Sequence, residues 1–205
     1  MRREADDGDQ RQSPKALLVD DDWMREELAG ILNQTDRILR EAIGAAAGVT
    51  PHLAVVDQWR VSPPIPAPLA PPLSLDSDVL GRCTSYGVDG VSLSWNVSYV
   101  DLGRVDPALA TKLETNQLNL GDLFVDPNVK KSDFEFGTHA DAGEFDRVLR
   151  SRLSDADDDL GPYVWRRYTA AMRGVAMFLV IEALPASSWN HFWTTKGAPG
   201  AEAAG

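Results

Sequence analysis

The sequence is short of basic residues. Twenty Lys and Arg stand against 31 Asp and Glu, giving a formal net charge of −11 and a pI near 4.6. Nucleic acid and anionic membrane surfaces are both bound through a basic face, so the balance speaks against either partner. Cysteine is nearly absent. The single Cys83 cannot close an internal disulfide and rules out a metal site built on several thiolates. No apolar run reaches the roughly 18 residues of a transmembrane helix. Met1 to Asp7 has no apolar segment behind it, unlike a secretory signal. These absences point to a cytoplasmic protein and reduce the sequon Asn96-Val97-Ser98 to a chance match. Phosphate loops, dinucleotide fingerprints and nucleophile elbows are missing too, and His52, His139 and His191 lie far apart in the chain. Neither a metal nor a cofactor is expected.

What is present supports one domain. A chain of 205 residues with 43% hydrophobic residues can bury a real core. Residues 1–15 are charged and polar and read as a disordered tail; 194–205, rich in Gly and Ala, reads the same way. The domain is therefore expected over 16–193. A first helix is predicted over 20–31, with Trp23, Leu28 and Ile31 on one face. A second is predicted over 35–47, capped by Thr35 or Asp36, with Ile38, Leu39, Ala42 and Ile43 facing inward. His52 to Arg60 reads as a strand. Ser62 to Pro72 carries so many prolines that an extended path is expected, as a rigid connection rather than an SH3-type ligand.

Val91 to Tyr99 is the clearest element. Val91, Leu93, Trp95, Val97 and Tyr99 alternate with Ser92, Ser94, Asn96 and Ser98, giving an apolar and a small polar face. Val79 to Tyr86 pairs with it as a hairpin across Gly87 to Gly90. Asp106-Pro107 opens a helix with Leu109 and Leu113 inward, and another short helix starts near Asn119 to Gly121. Phe134 and Phe136 mark a strand ending at Gly137. Residues 144–153 form a helix with Phe145, Val148, Leu149 and Leu153 on one stripe, and Asp155 to Asp159 reads as a solvated loop. Strands over 163–172 and 175–184 meet at Arg173-Gly174. Hairpin links imply antiparallel pairing, so the class is α+β: one domain, roughly six antiparallel strands, flanking helices and a buried pocket.

One carboxylate stands out. Glu182 ends the most apolar run of the chain, Val175 to Ile181. A charge there is costly unless paired, and desolvation drives a carboxyl toward general-acid behaviour; the alternative is a strand-end Glu turned to water. Arg82 interrupts another apolar strand, as an ion-pair partner for Glu182 or as an anchor for an anionic substrate. Arg166-Arg167 is weaker, since one of two adjacent strand residues faces solvent.

Several segments together resemble the chorismate pyruvate-lyases. These are Val180-Ile181-Glu182-Ala183-Leu184-Pro185-Ala186-Ser187, Leu118-Asn119-Leu120-Gly121-Asp122-Leu123-Phe124, Phe134-Glu135-Phe136-Gly137 and Trp165-Arg166-Arg167-Tyr168. Arg82 precedes the hairpin Gly90 as that family's substrate-binding arginine does, while Asn33 to Asp36 is a poor match to its N-terminal active-site turn. The resemblance spans residues 30 to 188. It implies an antiparallel sheet holding its ligand under helical flaps, an architecture shared with ligand-sensing domains of some bacterial regulators. It also implies pyruvate elimination from chorismate to leave 4-hydroxybenzoate, with no metal or cofactor. By the same resemblance Arg82 holds the substrate carboxylate, Leu120 offers its backbone N–H, Thr35 contributes backbone and Glu182 serves as the acid.

Three readings follow, all with a small-molecule partner. The first is the lyase. The second keeps the fold for a cyclase, dehydratase or isomerase of specialised metabolism. It is motivated by the small polar face at Ser92 to Ser98, where a family enzyme can carry a further arginine, by the inserted 137–161 region, and by Trp189, Phe192 and Trp193 beyond Ser187. The third is a non-catalytic sensor, against which stands a 1–30 segment too short for a winged helix-turn-helix.

Overall fold

A computed structural model describes residues 21–61, 73, 78–153 and 160–196. The proline-rich path and the acidic run at 155–159 lie outside these residues, as do 1–20 and 197–205. Among the described residues the elements are α1 (Asp21–Leu32), α2 (Leu39–Ala47), β1 (His52–Val61), β2 (Val79–Val88), β3 (Val91–Asp101), α3 (Pro107–Glu114) and α4 (Leu120–Leu123). They continue with β4 (Val129–Thr138), a 3₁₀ turn (His139–Asp141), α5 (Glu144–Arg152), β5 (Tyr163–Met172), β6 (Val175–Pro185) and α6 (Ala186–Lys196). The class is α+β, a single domain on one six-stranded sheet ordered β1-β2-β3-β6-β5-β4. Every neighbouring pair is antiparallel. Two three-stranded halves thus meet where β6 docks on β3.

From Trp95 to Tyr99 the alternation in β3 determines what each face carries; Val91 and Leu93, beyond a register shift opposite Tyr86 and Gly87, do not share the expected face and pack with α1, α2 and α6 instead. Trp95, Val97 and Tyr99 pack with Cys83, Leu179 and Ile181 against Phe145 and Leu149 of α5. The residues between them face the other way. There the helices form two separate apolar clusters. Leu28 of α1, Ile43 of α2 and Trp189 of α6 gather at one end with Tyr86 and Leu184. Leu113 of α3 and Leu120 of α4 gather at the other with Leu80, Tyr168 and Phe178.

Local signals set several boundaries. The Asp106 side chain accepts from the Ala108 and Leu109 N–H groups at 2.9 and 3.3 Å, and Pro107 opens α3. The hairpin turn at Asp89-Gly90 places both residues at positive φ.

Other expectations are corrected. α2 begins at Leu39, not 35, and neither Thr35 nor Asp36 caps it; its N-cap is Ile38. Residues 33–37 form a turn in which Thr35 N–H donates to Asn33 O and Arg37 N–H to Gln34 O, and two of its carbonyls, Gln34 O and Arg37 O, also accept from the sheet. On α1, Met24 rather than Trp23 faces the core; Trp23 is 38% exposed and leans on Trp193. β4 starts at Val129, and a bulge between Ser132 and Glu135, with Asp133 at positive φ, leaves Phe136 half exposed. α6 runs three residues past the expected boundary at 193. It is anchored by fully buried Trp189, whose indole N–H donates to Leu93 O at 2.8 Å.

Each outer strand pair packs a tryptophan over a glycine directly opposite. Trp59 faces Gly81, and Trp165 faces Gly137. A Cβ on Gly137 would stand 2.7 Å from the Trp165 ring, and that ring is pinned by its N–H bond to Thr138 O at 2.7 Å. Gly137→Ala is therefore expected to destabilise the fold by about 1–3 kcal/mol through overpacking, outweighing the gain from a stiffer unfolded chain. A lowered urea midpoint with an unchanged m-value is the expected readout.

Candidate ligand-binding cavity

The site begins on the polar face of the sheet centre. Thr84, Asn96, Glu182 and Arg166 are direct neighbours on β2, β3, β6 and β5. In the next same-face row, Arg82 lies opposite Ser98, and Ser98 opposite Val180. These side chains form a polar seam between the two apolar clusters. Polar groups buried there need partners, because lost hydration is otherwise uncompensated.

Glu182 has found its partners. It is 5% exposed. Its Oε2 accepts from Arg166 Nε at 2.5 Å and its Oε1 from the Tyr168 hydroxyl at 3.1 Å. Arg166 is completely buried, and its Nη1 donates to Leu32 O at 2.5 Å and Gln34 O at 3.3 Å. The pair thereby ties the sheet centre to the turn after α1. Lys131 Nζ, 5.5 Å from the Tyr168 ring centre, donates to Arg37 O at 2.8 Å and holds the same turn from β4. Burial, and then the Glu182 charge, push the Tyr168 phenol well above its usual range, so it remains a donor.

Sequence reasoning offered Arg82 as the ion-pair partner of Glu182. The structure gives that place to Arg166, because the β5–β6 register sets Arg166 directly across from Glu182 while Arg82 lies two strands away. Arg82 is 1% exposed. Its Nη1 donates to Leu118 O at 3.2 Å and its Nη2 to Asn116 Oδ1 at 3.1 Å. Its Nε is buried without a partner. Among the described residues no carboxylate pairs with it, and burial is the influence that lowers its pKa. A guanidinium stays charged all the same, so the seam contains a buried cation lacking its anion.

Arg82 and Glu182 share one cavity of about 50 Å³, covered by Ile38 and Leu39 at the α2 start, by Leu120 of α4 and by Phe124 just after it. Arg82 and Glu182 thus line the cavity from the sheet, and Leu120 lines it from α4. Thr35 does not line the cavity; its N–H donates to Asn33 O within the turn, and Ile38 and Leu39 take the place expected for it. Asn96 also lines the cavity and keeps a buried, unpartnered Oδ1, while its Nδ2 donates to Ser94 Oγ at 3.2 Å. Arg40 of α2 and Asp122 of α4, on the two helices that cover the cavity, stand 3.8 Å apart with side chains 44% and 46% exposed. Such a surface pair holds the two flaps together by at most about 1 kcal/mol. Among the described residues no group of His, Cys, Asp or Glu is placed to hold a metal ion. Nor is any helix among them long and apolar enough to cross a membrane.

Sequence reasoning undervalued Arg166 and did not single out Tyr168 or Asn96. The Arg166-Arg167 pair was visible, but which member points inward follows from register alone: Arg167 faces out to Glu135. Asn96 was legible as the one amide on the small polar face of β3.

No family model matches the sequence, and no curated protein does. Solved structures do match. PhnF from Mycobacterium smegmatis is 13% identical over 73% of this chain and 64% of its own, with a TM-score of 0.50. The effector domain of PhnF is 12% identical, covering 74% of this chain and 90% of its own, at a TM-score of 0.48. A GntR-family transcriptional regulator from Enterococcus faecalis is 10% identical, covering 67% and 95%, at 0.40. The chain has the chorismate lyase-like fold that such regulator domains share.

Arg166→Met leaves the Glu182 charge buried without its ion-pair partner. The expected cost is about 3–5 kcal/mol in urea unfolding, far above the effect of a surface arginine such as Arg147. A pH effect follows from Tyr86 on the cavity wall, whose phenol is pushed up to about 12 by burial and then by the Glu182 charge. Below about pH 10 the phenol is neutral in both folded and unfolded chains. Between 10 and 12 only the unfolded chain releases the proton, so stability falls as pH rises. Urea midpoints are expected to show this alkaline decline, with a shallower slope in Tyr86→Phe.

Proposed function

We propose that the chain is a binding domain for a small carboxylate and that its output is binding rather than turnover. The observation that carries this is Arg82, a buried guanidinium with a free Nε and no carboxylate partner among the described residues. An anion arriving from solution supplies the missing counter-charge through a charge-assisted hydrogen bond. Apolar Ile38, Leu39, Leu53 and Phe124 suit a compact hydrocarbon or aromatic body behind the carboxylate. A cavity of about 50 Å³ admits a few waters or one small group, so a ring acid enters by parting the weakly linked flaps. Glu182, held at both oxygens, acts as scaffold rather than as a free proton donor. The fold is one that regulator effector domains use, which accommodates a binding-only role.

Pyruvate elimination from chorismate is the second reading. It is favoured by the convergence of Arg82, Leu120 and Glu182, the three positions that the lyase resemblance supplies as carboxylate anchor, backbone donor and acid.

Titration calorimetry of the full chain with 4-hydroxybenzoate, beside a coupled pyruvate assay with chorismate, separates the two. Saturable binding is expected, weakened about tenfold or more in Arg82→Met, with no pyruvate released. Methionine replaces the buried charge with an apolar chain of similar reach, so the variant retains its fold. Pyruvate production that disappears in Glu182→Gln would overturn the binding-only reading and establish the lyase. Failure of 4-hydroxybenzoate, benzoate and chorismate to bind would overturn both.

A further inference from the structure

The cover of the Arg82 cavity comes from two distant places in the chain. Ile38 and Leu39 belong to the α2 start, and Leu120 and Phe124 to α4 and its end. Their direct link, Arg40 to Asp122, is nearly half exposed and contributes little. Lys131 of β4 reaches both parts.

The Lys131 Nζ donates to Arg37 O at 2.8 Å, one residue before Ile38. The same nitrogen stands 5.7 Å from the ring centre of Phe124, the C-cap of α4. It stands 5.5 Å from the ring centre of Tyr168, whose hydroxyl donates to Glu182. Ile38, Phe124 and Glu182 all line the cavity. One ammonium therefore holds a point on, or next to, each part that encloses a ligand.

The chemistry is that of a reversible fastening. Among the described residues the partners of Lys131 are a carbonyl and two rings rather than a carboxylate. An ammonium makes a charge-assisted bond to the first and is drawn to the ring faces within about 6 Å. Its anchor is firm, since Lys131 lies in the β4–β5 ladder opposite Ala170. Arg37 and Phe124 lie outside helix and strand, where backbone opens more readily than in a sheet. The flexible four-carbon stem lets the contact break and re-form while the sheet stays still. Release matters because the closed cavity of about 50 Å³ falls far short of the roughly 300–1,000 Å³ of pockets that take whole small molecules.

We propose that Lys131 is the latch of this cavity: its ammonium holds the α2 start and the α4 end down together, and both must be let go for a ligand to enter. What enters rests on the binding reading above, but the latch is a property of the unliganded chain.

Hydrogen exchange of the full chain without ligand, read by mass spectrometry, tests it. Lys131→Met is expected to speed exchange about tenfold over both 38–44 and 120–126 while β3 and β6 keep their protection. Lys131→Gln repeats the loss of charge and guards against one variant that misfolds. Lys131→Arg, which retains a cation, stays slow, and Arg40→Gln changes either segment by less than about threefold. In stopped flow, 4-hydroxybenzoate is expected to associate about tenfold faster with Lys131→Met, because the open form is more populated. A lysine that merely props the fold would, when lost, weaken binding without speeding association. Faster exchange in one segment only, in neither, or equally through the sheet would overturn the latch, as would binding at an unchanged association rate. If 4-hydroxybenzoate does not bind at all, the binding reading falls and the exchange pattern still decides the latch.

Discussion

A single buried ion pair organises this molecule. Arg166 and Glu182 face each other at the centre of the sheet, and the arginine reaches on to the carbonyls of Leu32 and Gln34. Taking two charges out of water costs several kcal/mol each, which is offset only if geometry is good and the remaining donors and acceptors are used. Here the sheet supplies Tyr168 to the carboxylate, and the turn after α1 supplies carbonyls to the guanidinium. That demand fixes where α1 ends and how late α2 begins, and so sets the roof of the cavity. An apolar pair in the same place would fill the volume but would give the turn no reason to lie there.

The functional contrast is between two arginines in one seam. Arg166 is paired with a carboxylate and serves the fold, although its Nη2 too is buried without a partner. Arg82, on the other side of Asn96, is held by one carbonyl and one amide oxygen and keeps a donor in reserve. The chain's net charge of −11 repels anions at a distance. The proposed recognition of a carboxylate is therefore a contact effect, concentrated where a low-dielectric wall strengthens one charge-assisted bond. Apolar clusters on both sides of the seam keep water from competing.

Much of the frame was legible because it depends on short-range rules. Alternation in β3 announced a sheet with unlike faces, tight turns announced the hairpins, and Asp106-Pro107 announced a helix start. What failed was anything decided across the sheet. Thr35 and Asp36 carry a valid capping signal, but they lie in a turn held to the sheet by Arg166 and Lys131, and the α2 N-cap is Ile38. Arg82 and Glu182 were both identifiable as charges inside apolar strands. Of the two roles open to Arg82, the ion pair with Glu182 is excluded, because the partner of Glu182 follows from β5–β6 register, which no local pattern encodes. α6 did carry a signal: Trp189, Phe192 and Trp193 are spaced i, i+3, i+4 directly after Pro185, the stripe of a buried helix face.

The most direct measurement is a high-resolution crystal structure of the full chain with 4-hydroxybenzoate bound. The account predicts a carboxylate oxygen within hydrogen-bond distance of Arg82 Nε, flaps displaced to admit the ring, and the Arg166–Glu182 pair unbroken beneath it. A carboxylate seated on Arg166 with Glu182 swung aside, or Arg82 Nε taken by one of the protein's own groups, would contradict it.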